Sequence, residues 1–346
     1  MTSKRRIRLK VGVIGVGRLG KVYVRDLAGR IPETTVAAVA DIDRGLADQI
    51  AEEFDVPKAY GTAEELMADR DVDAVVVVTP THSHREIVIA AARSGKPTFC
   101  EKPPALSLAE CAAMSDAVNK AGTFFQMGFM RRFDPGYAAA KEQIAQGAIG
   151  RPLVFKSTSR DPFRPSLEYA NPASSGGIMV DMGIHDFDLA RWFMGEVQTV
   201  SAIGATIAYP ELTTVGDIDN AVASLTFSSG KLGAVDLSRS GIYGYDISTE
   251  ILGSEGTVRI GYLRETPLMV LTKNSVAHDT VPYFMERFRD AYTTQLQNFA
   301  QNVQHQRTPP ITIVDGLEAL RLGVAATRAQ ETGRSVTVAE IGGAGV

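Results

Sequence analysis

Short apolar segments alternate with amphipathic segments along the first 126 residues of the chain. Residues 74–78 form a continuous run of alanine and valine, which is typical of a central parallel strand buried on both faces. Thr62 and Ser107 each begin a capping box, in which a hydroxyl and a carboxylate satisfy the first amides of a helix. Further strands are predicted over 7–14, 36–40, 98–100 and 124–125, and further helices over 18–30 and 84–93. Repeated strand–helix units predict a doubly wound parallel sheet covered on both sides.

The pattern of apolar positions changes after residue 126. Strands are predicted over 197–209, 221–227, 231–238, 245–252 and 257–260, and helices over 177–195, over 287–306 and from 315 onward. The Ser-Ser-Gly and Ser-Glu-Gly sequences at 228–230 and 254–256 are typical of hairpin turns. We therefore expect two domains, 1–126 and 127–346. The second is an α+β domain with a large, open-faced, mainly antiparallel sheet and helices on one of its faces.

The composition narrows the class of protein. The 346 residues are 45% hydrophobic and 22% charged, as in a folded globular protein. The net charge of −4 gives no electrostatic reason to expect nucleic acid or an anionic membrane as a partner. No apolar run approaches the roughly 20 residues that a membrane-spanning helix needs. Cys100 and Cys111 form neither a disulfide framework nor a metal-ligand pattern, which favours a cytoplasmic protein.

A Gly-x-Gly-x-x-Gly motif lies between the first predicted strand and the first predicted helix. In this context Gly15 permits a tight turn, Gly17 allows backbone to approach a pyrophosphate, and Gly20 allows close helix–strand packing. Asp41 ends the next strand at the spacing expected for a carboxylate that binds the adenosine ribose, which favours NAD over NADP. Arg44 would weaken this preference, because its positive charge would partly offset the repulsion between the Asp41 carboxylate and a 2′-phosphate. The cofactor residues predicted here are Gly15, Gly17, Arg18, Leu19, Gly20, Asp41, Ile42 and Arg44.

Polar residues follow the fourth predicted strand, where a doubly wound sheet binds its ligand. We expect Thr79, Pro80 and His84 to border the nicotinamide half of the cofactor. The alternative is that His82 or His84 merely caps the following helix.

Lys102 lies at the end of the next strand, between Glu101 and Pro103-Pro104. An ammonium aimed at the nicotinamide pocket would bond a substrate hydroxyl and stabilise developing oxyanion character. The proline after it would hold a tight turn. The alternative is a surface ion pair between Lys102 and Glu101.

Asp181 and His185 are four residues apart in a predicted helix, so their side chains share one face. Asp181 would fix the tautomer of His185 and raise its basicity, leaving the other ring nitrogen for general acid–base catalysis. The alternatives are a structural pair or half of a metal site. Since no second histidine has the spacing of a zinc motif, we predict no metal.

The chain resembles the glucose–fructose oxidoreductase and inositol dehydrogenase family over essentially its whole length. The resemblance rests on the Gly15-to-Gly20 motif, the Pro80-to-His84 segment, Glu101-Lys102-Pro103 and Asp181-x-x-x-His185. A closer likeness to the inositol 2-dehydrogenase branch rests on residues 99–103, 128–134, 243–246 and 287–299.

This resemblance implies a Rossmann domain with an open-faced sheet domain, usually in a homotetramer packed through those sheets. It also implies that Lys102, Asp181 and His185 form a catalytic triad. The hypothesis is oxidation of a secondary hydroxyl of myo- or scyllo-inositol: His185 takes the hydroxyl proton while hydride passes to nicotinamide C4. Lys102 bonds the reacting oxygen, and Asp181 orients His185.

Glu101, Lys102 and Arg131 complete the predicted cofactor site. The predicted substrate residues are Lys102, Met130, Arg131, Asp161, Asp181, His185, Tyr245 and Tyr283, with Arg160 as a further candidate. For Arg160 and Tyr283, a solvated or interface position is the alternative. Asp161 stands where some inositol dehydrogenases have Asn, which leaves the preferred isomer open. The competing functions are oxidation of an aldose at its anomeric carbon and non-catalytic dinucleotide binding by a regulator.

Overall fold

A computed structural model describes residues 8–342 of the chain, so the predicted strand residue at position 7 lies outside the described part. The described residues divide into two compact units. The first runs to Met130 and also includes Asp290–Leu317; the second is Arg131–Arg289 together with the residues from Glu318. The division into 1–126 and 127–346 does not include this return of a late segment to the first unit.

The first unit contains a six-stranded parallel sheet. Its elements are β1 (Leu9–Ile14), α1 (Arg18–Gly29), β2 (Thr34–Ala40), α2 (Arg44–Glu53), β3 (Ala59–Tyr60), α3 (Ala63–Ala68), β4 (Ala74–Val77), α4 (His84–Arg93), β5 (Thr98–Glu101), α5 (Leu108–Ala121) and β6 (Phe125–Gly128). The strand order is β3-β2-β1-β4-β5-β6, which is that of a dinucleotide-binding sheet. The expected doubly wound fold is confirmed. Since the order reverses between β1 and β4, the loops that follow these two strands are neighbours.

Local sequence signals account for several of these boundaries. Both capping boxes are present, with Thr62 accepting from the Glu65 amide before α3 and Ser107 accepting from the Glu110 amide before α5. α5 ends at Gly122, which adopts the left-handed conformation that favours glycine.

The late return segment completes the core of the first unit. The Phe299 ring packs against Phe99 and Phe124, with ring centroids 5.9 and 5.8 Å apart. The Met127 amide donates to the Ile311 carbonyl oxygen at 3.0 Å. The edge of this parallel sheet is therefore closed by residues that are distant in sequence.

The second unit contains a seven-stranded mixed sheet, ordered β12-β11-β7-β10-β9-β8-β15. Only the β7–β10 pair is parallel among its described strand pairs, so the expected mainly antiparallel sheet is confirmed. The remaining elements of the chain are α6 (Pro135–Ala145), β7 (Pro152–Arg160), α7 (Leu167–Ala170), α8 (Pro172–Ser175), α9 (Gly177–Asp181), α10 (Gly183–Met194), β8 (Val197–Ala205), β9 (Asn220–Phe227), β10 (Leu232–Ser238), β11 (Asp246–Gly253), β12 (Thr257–Ile260), β13 (Val270–Leu271), β14 (Val276–Ala277), α11 (Phe284–Arg287), α12 (Arg289–Gln304), α13 (Ile313–Thr332) and β15 (Val336–Thr337). β9–β10 and β11–β12 pair as the two predicted hairpins.

Two features of the second unit differ from the sequence predictions. β7 was not predicted, because its buried inward positions include the serines Ser157 and Ser159 rather than apolar residues. The helix predicted over 177–195 is interrupted at Met182, so it forms α9 and α10. Gly183 lies at this junction, where a Cβ atom would come within 3.0 Å of Leu237 on β10.

Candidate active site

The glycine-rich turn after β1 places its three glycines in different surroundings. Gly15 has a φ of +86°, and a Cβ atom there would lie 2.8 Å from the Thr79 backbone nitrogen. A Cβ atom on Gly20 would lie 2.0 Å from the Gly15 carbonyl oxygen. Gly17 has a φ of −62° and open space where a Cβ atom would be. The fold itself therefore requires glycine at 15 and 20, whereas glycine at 17 leaves the turn open to close approach by a ligand.

The N-terminus of α1 is suited to an anion. Its first residue is Arg18, and among the described residues no side chain forms a capping hydrogen bond there. Amides in the first turn of a helix have no partner within the helix, and the helix dipole favours negative charge beside them. With the open surface at Gly17, this turn fits a dinucleotide pyrophosphate. Arg18 is exposed and Leu19 is half-buried beside it.

Asp41 is held at the rim of this turn by two backbone amides. Its Oδ2 accepts from the Val16 amide at 2.9 Å, and its Oδ1 accepts from the Asp43 amide at 3.0 Å. Each carboxylate oxygen can accept a further hydrogen bond, so the side chain remains able to bind two ribose hydroxyls.

The two predicted neighbours of Asp41 differ in their contacts. Ile42 is 98% exposed and offers an apolar surface beside the carboxylate. Arg44 donates from Nε to Asp48 Oδ1 at 2.9 Å along its own helix. In this structure the charge of Arg44 is therefore paired with an acidic residue of its own helix.

His84 is buried rather than exposed to a ligand. Its ring is within 2.8 Å of the Pro103 carbonyl oxygen through Nδ1 and within 2.9 Å of the Thr79 carbonyl oxygen through Nε2. Burial lowers the pKa of this imidazole. His84 thus ties the loop after β4 to the turn after β5, and its predicted contact with the cofactor stays a prediction. Thr79 is half-buried and Pro80 exposed in the same loop.

Glu101 also points into the first unit. Its Oε1 accepts from the Tyr23 hydroxyl and from Gln295 Nε2, and its Oε2 accepts from the Lys102 amide at 3.1 Å. The side chain is buried, and this burial raises the pKa of the carboxyl. Both a cofactor contact and a surface ion pair were considered for Glu101. The structure gives it a third role, which is to fix the backbone of Lys102.

Lys102 is half-buried at the end of β5, followed by a cis peptide bond to Pro103. The Glu101 carboxylate holds its amide, and His84 holds the next carbonyl oxygen. The base of the Lys102 side chain is therefore fixed on both sides. It stands at the same sheet edge as the glycine-rich turn, since both follow strands of one parallel sheet.

In the second unit, Asp181 ends α9 and His185 lies in the first turn of α10. Asp181 is half-buried, and its Oδ1 accepts from the Tyr169 hydroxyl at 2.9 Å. Its Oδ2 lies 3.6 Å from Nη2 of the buried Arg239. His185 is 7% exposed. The interruption at Met182 separates the two residues into successive helices.

Two arginines fix α10 immediately after His185. Arg131 Nη1 donates to Asp186 Oδ1 at 2.8 Å, and Arg132 Nε donates to Asp188 Oδ2 at 2.9 Å. Asp186 also accepts from Ser157 and Ser159. Arg131 is 2% exposed and its guanidinium belongs to a buried ion pair, while its predicted ligand contact stays a prediction. Sequence reasoning missed Asp186 and Asp188, although carboxylates within an apolar helix were a usable signal.

The other predicted substrate residues vary in accessibility. Tyr245 is 5% exposed and packs edge-to-face against Tyr283, with ring centroids 5.6 Å apart. Burial, reinforced by the Asp161 carboxylate, raises the Tyr245 pKa, so its hydroxyl remains a donor. Asp161 and Tyr283 are half-buried.

Met130 and Arg160 have other surroundings. Met130 is 2% exposed and ends the first segment of the first unit. Arg160 donates to the Tyr243 hydroxyl at 3.1 Å and pairs with Asp236, which favours the surface interpretation of this residue.

Within residues 8–342, no group of three or more histidine, cysteine, aspartate or glutamate side chains is arranged to hold a metal ion. No helix within the same range is long and apolar enough to cross a membrane.

Comparison with known proteins extends over nearly the whole chain. The chain is 39% identical to the scyllo-inositol 2-dehydrogenase (NAD(+)) of Bacillus subtilis, over 95% of this chain and 96% of that protein. It is 40% identical to the myo-inositol 2-dehydrogenase of Thermotoga maritima, over 96% of this chain and 99% of that protein. A crystal structure of scyllo-inositol dehydrogenase from Lactobacillus casei with bound NAD(H) and scyllo-inositol superposes with a TM-score of 0.92. That pair is 31% identical, and the alignment covers 96% of this chain and 100% of the other.

Two family models divide the chain between them. Residues 9–129 match the NAD-binding Rossmann fold of the GFO/IDH/MocA oxidoreductases, and residues 141–338 match the C-terminal alpha/beta domain of the same family. The resemblance inferred from the motifs is thereby confirmed. The chain belongs to the GFO/IDH/MocA family of oxidoreductases and has its NAD-binding Rossmann domain.

Proposed function

We propose that this protein is an NAD-dependent inositol 2-dehydrogenase, which oxidises a secondary hydroxyl of myo- or scyllo-inositol to the ketone. The observation that carries the proposal is the similarity to inositol 2-dehydrogenases along nearly the full length of both chains. Similarity of this extent includes the substrate domain as well as the dinucleotide domain.

The residues of the first unit fit NAD. The open turn at Gly17 and the uncapped start of α1 would hold the pyrophosphate, and Asp41 would accept from the ribose hydroxyls. When bound, the nicotinamide supplies a hydride acceptor. The chain's own residues supply binding, orientation and proton transfer.

Three side chains would perform the chemistry on the alcohol. His185 takes the hydroxyl proton, and Lys102 donates a hydrogen bond to the same oxygen as negative charge develops on it. Asp181 orients His185. The buried contacts described above support these roles, because they fix the backbone of Lys102 and the start of α10.

Asp161 and Tyr245 would bind the remaining hydroxyls of the ring. A site that bonds each hydroxyl penalises an inverted or missing one, because a buried polar group is then left without a partner. Tyr283, half-buried beside Tyr245, would line the same site. Arg131 supports this site by pairing with Asp186, which is next to His185 in the sequence.

We also propose a cytoplasmic homotetramer. Ile203, Val222, Leu232 and Leu252 are exposed at 74, 47, 54 and 43%, and strand pairing puts them on one face of the second sheet. Packing between subunits would cover this apolar face. Both cysteines are buried free thiols, as suits a reducing compartment.

The substrate is tested by following reduced nicotinamide with a panel of inositol isomers and aldoses. We expect kcat/KM to be highest for an inositol. Higher values for aldoses would favour an aldose 1-dehydrogenase, and no turnover with any compound would favour a non-catalytic regulator.

Replacing Asp41 with Ala should relax the preference for NAD. The carboxylate that accepts from the 2′-hydroxyl and repels a 2′-phosphate is removed, so the ratio of kcat/KM for NAD to that for NADP should fall. Glu52→Ala is the matched control, because it removes an exposed carboxylate of α2 that has no predicted contact with the cofactor. An unchanged ratio in the Asp41 variant would refute this role.

A further inference from the structure

The second unit contains an arginine with no solvent exposure. Arg239 follows β10 directly, and its backbone amide donates to the Asp219 carbonyl oxygen at 2.8 Å. A guanidinium remains protonated at any pH a protein tolerates, so this position holds a permanent buried positive charge. Such a charge is costly unless anions lie close to it.

Two carboxylates lie beside this guanidinium. Arg239 Nη2 is 3.1 Å from Asp217 Oδ2 and 3.6 Å from Asp181 Oδ2. The other oxygen of Asp217 accepts from the Ile178 amide at 3.1 Å, in the first turn of α9. Asp217 thus holds the start of the short helix α9 by a hydrogen bond, and Arg239 lies within ion-pair distance of its last residue.

The Arg239 guanidinium therefore lies within ion-pair distance of two carboxylates, those of Asp181 and Asp217. Burial raises the pKa of the Asp217 carboxyl, Arg239 opposes that rise, and the charge of Asp181 adds to it. Other titratable groups near Asp181 include the Tyr169 hydroxyl, which donates to Oδ1, Tyr283, which is near Tyr169, and His185, on which Asp181 is proposed to act. Arg239 is an arginine within ion-pair distance of both carboxylates.

We propose that Arg239 is a positioning residue of the reaction: it fixes the Asp181 carboxylate and balances its charge against Asp217, so that Asp181 can act on His185. The inference rests on the proposed catalytic role of Asp181. Arg239 itself is fully buried and touches no reactant. Its proposed effect on the reaction is therefore through the carboxylates beside it, and Asp181 is the one that would act on His185.

Opposite shifts in the pH profile are the signature of this role. Removing a cation makes every neighbouring proton-binding step more favourable, whichever group governs the profile. Arg239→Met should therefore move the acidic limb of the pH profile of kcat/KM to higher pH, by about one pH unit or more. Asp217→Asn removes an anion, so it should move the limb to lower pH, while the new amide oxygen can still accept from Ile178.

Two further variants separate this role from a purely structural one. Arg239→Lys keeps the charge and should return the limb most of the way to its original position. Arg239→Met combined with Asp217→Asn should also move it back, since the uncompensated anion is gone. A loss of activity that is equal at every pH, with the limb unmoved in all variants, would overturn the inference.

Thermal unfolding of the variants gives a readout apart from activity. In Arg239→Met the carboxyl pair has its folded-state pKa raised, so its contribution to stability is present at low pH and lost as pH rises. The deficit in melting temperature relative to the parent should thus be smaller at acidic than at neutral pH. If Arg239→Met does not fold, Asp217→Asn alone decides the question by the direction of its shift.

Asp181→Asn distinguishes this inference from the proposed function. If that variant keeps full kcat/KM, the catalytic role of Asp181 fails and the positioning role of Arg239 falls with it. If Asp181→Asn loses activity while the Arg239 and Asp217 variants leave the limb in place, only the present inference is wrong.

Discussion

Replacing His185 with Ala should lower kcat for inositol oxidation by roughly 10²–10⁴, the usual contribution of a positioned general base. The imidazole is the group proposed to take the hydroxyl proton, and it lies in a helix that two buried ion pairs hold in place. Water would replace it poorly, because the effective concentration of a fixed base is lost with the side chain. Steady-state kinetics with saturating NAD and inositol measures the effect.

His82→Ala is the matched control for this prediction. His82 is exposed in the turn before α4 and receives no role in the proposed mechanism. Its variant should turn over at the parent rate. Full turnover by the His185 variant at neutral pH would rule out His185 as the base.

The second large effect is expected on stability. Arg131→Met should lower the free energy of unfolding by about 3–5 kcal/mol, because it leaves the Asp186 carboxylate buried without its cation. Both side chains of this pair are at most 3% exposed. The Ser157 and Ser159 hydroxyls still donate to Asp186, but they supply no compensating charge. The loss is measured by comparing the midpoint of denaturant unfolding of the variant with that of the parent protein, each with and without NAD.

Arg44→Met provides the comparison for Arg131. Its ion pair with Asp48 has both side chains 56% exposed, and exposed pairs of this kind contribute little. We expect its midpoint to stay near that of the parent protein. Equal midpoints for the Arg131 and Arg44 variants would show that the buried pair is not the support of α10 described here.

Features determined by neighbouring residues were predicted well from sequence. α4 begins and ends where its pattern indicated, and both capping boxes form. The parallel, doubly wound character of the first sheet was also predicted from its strand–helix repeats. Such features depend on local hydrogen bonding and on the spacing of apolar positions, both of which are visible in a single sequence.

Features that depend on distant partners were predicted less well. β7 was missed because Ser157 and Ser159 are buried to bind Asp186, a pairing that hydrophobicity does not reveal. The ion pair between Arg131 and Asp186 was not predicted, because the two residues are 55 positions apart in the sequence.

In the first unit, too, contacts between residues far apart in the sequence were not predicted. Gln295 binds Tyr23 and Glu101 across more than 190 residues of sequence separation, so its role could not be inferred from spacing. His84 was expected at the cofactor because it follows a strand end. The contacts of its ring with the Pro103 and Thr79 carbonyl oxygens were not predicted, because they join loops that follow two different strands.

A crystal structure of the protein with NADH and an inositol bound is the most direct test of the proposed chemistry. We predict that Lys102 Nζ and a ring nitrogen of His185 both lie within about 3.2 Å of one inositol oxygen, whose carbon faces nicotinamide C4. An inositol oxygen that contacts neither side chain, with the ring carbon turned away from C4, would contradict the account.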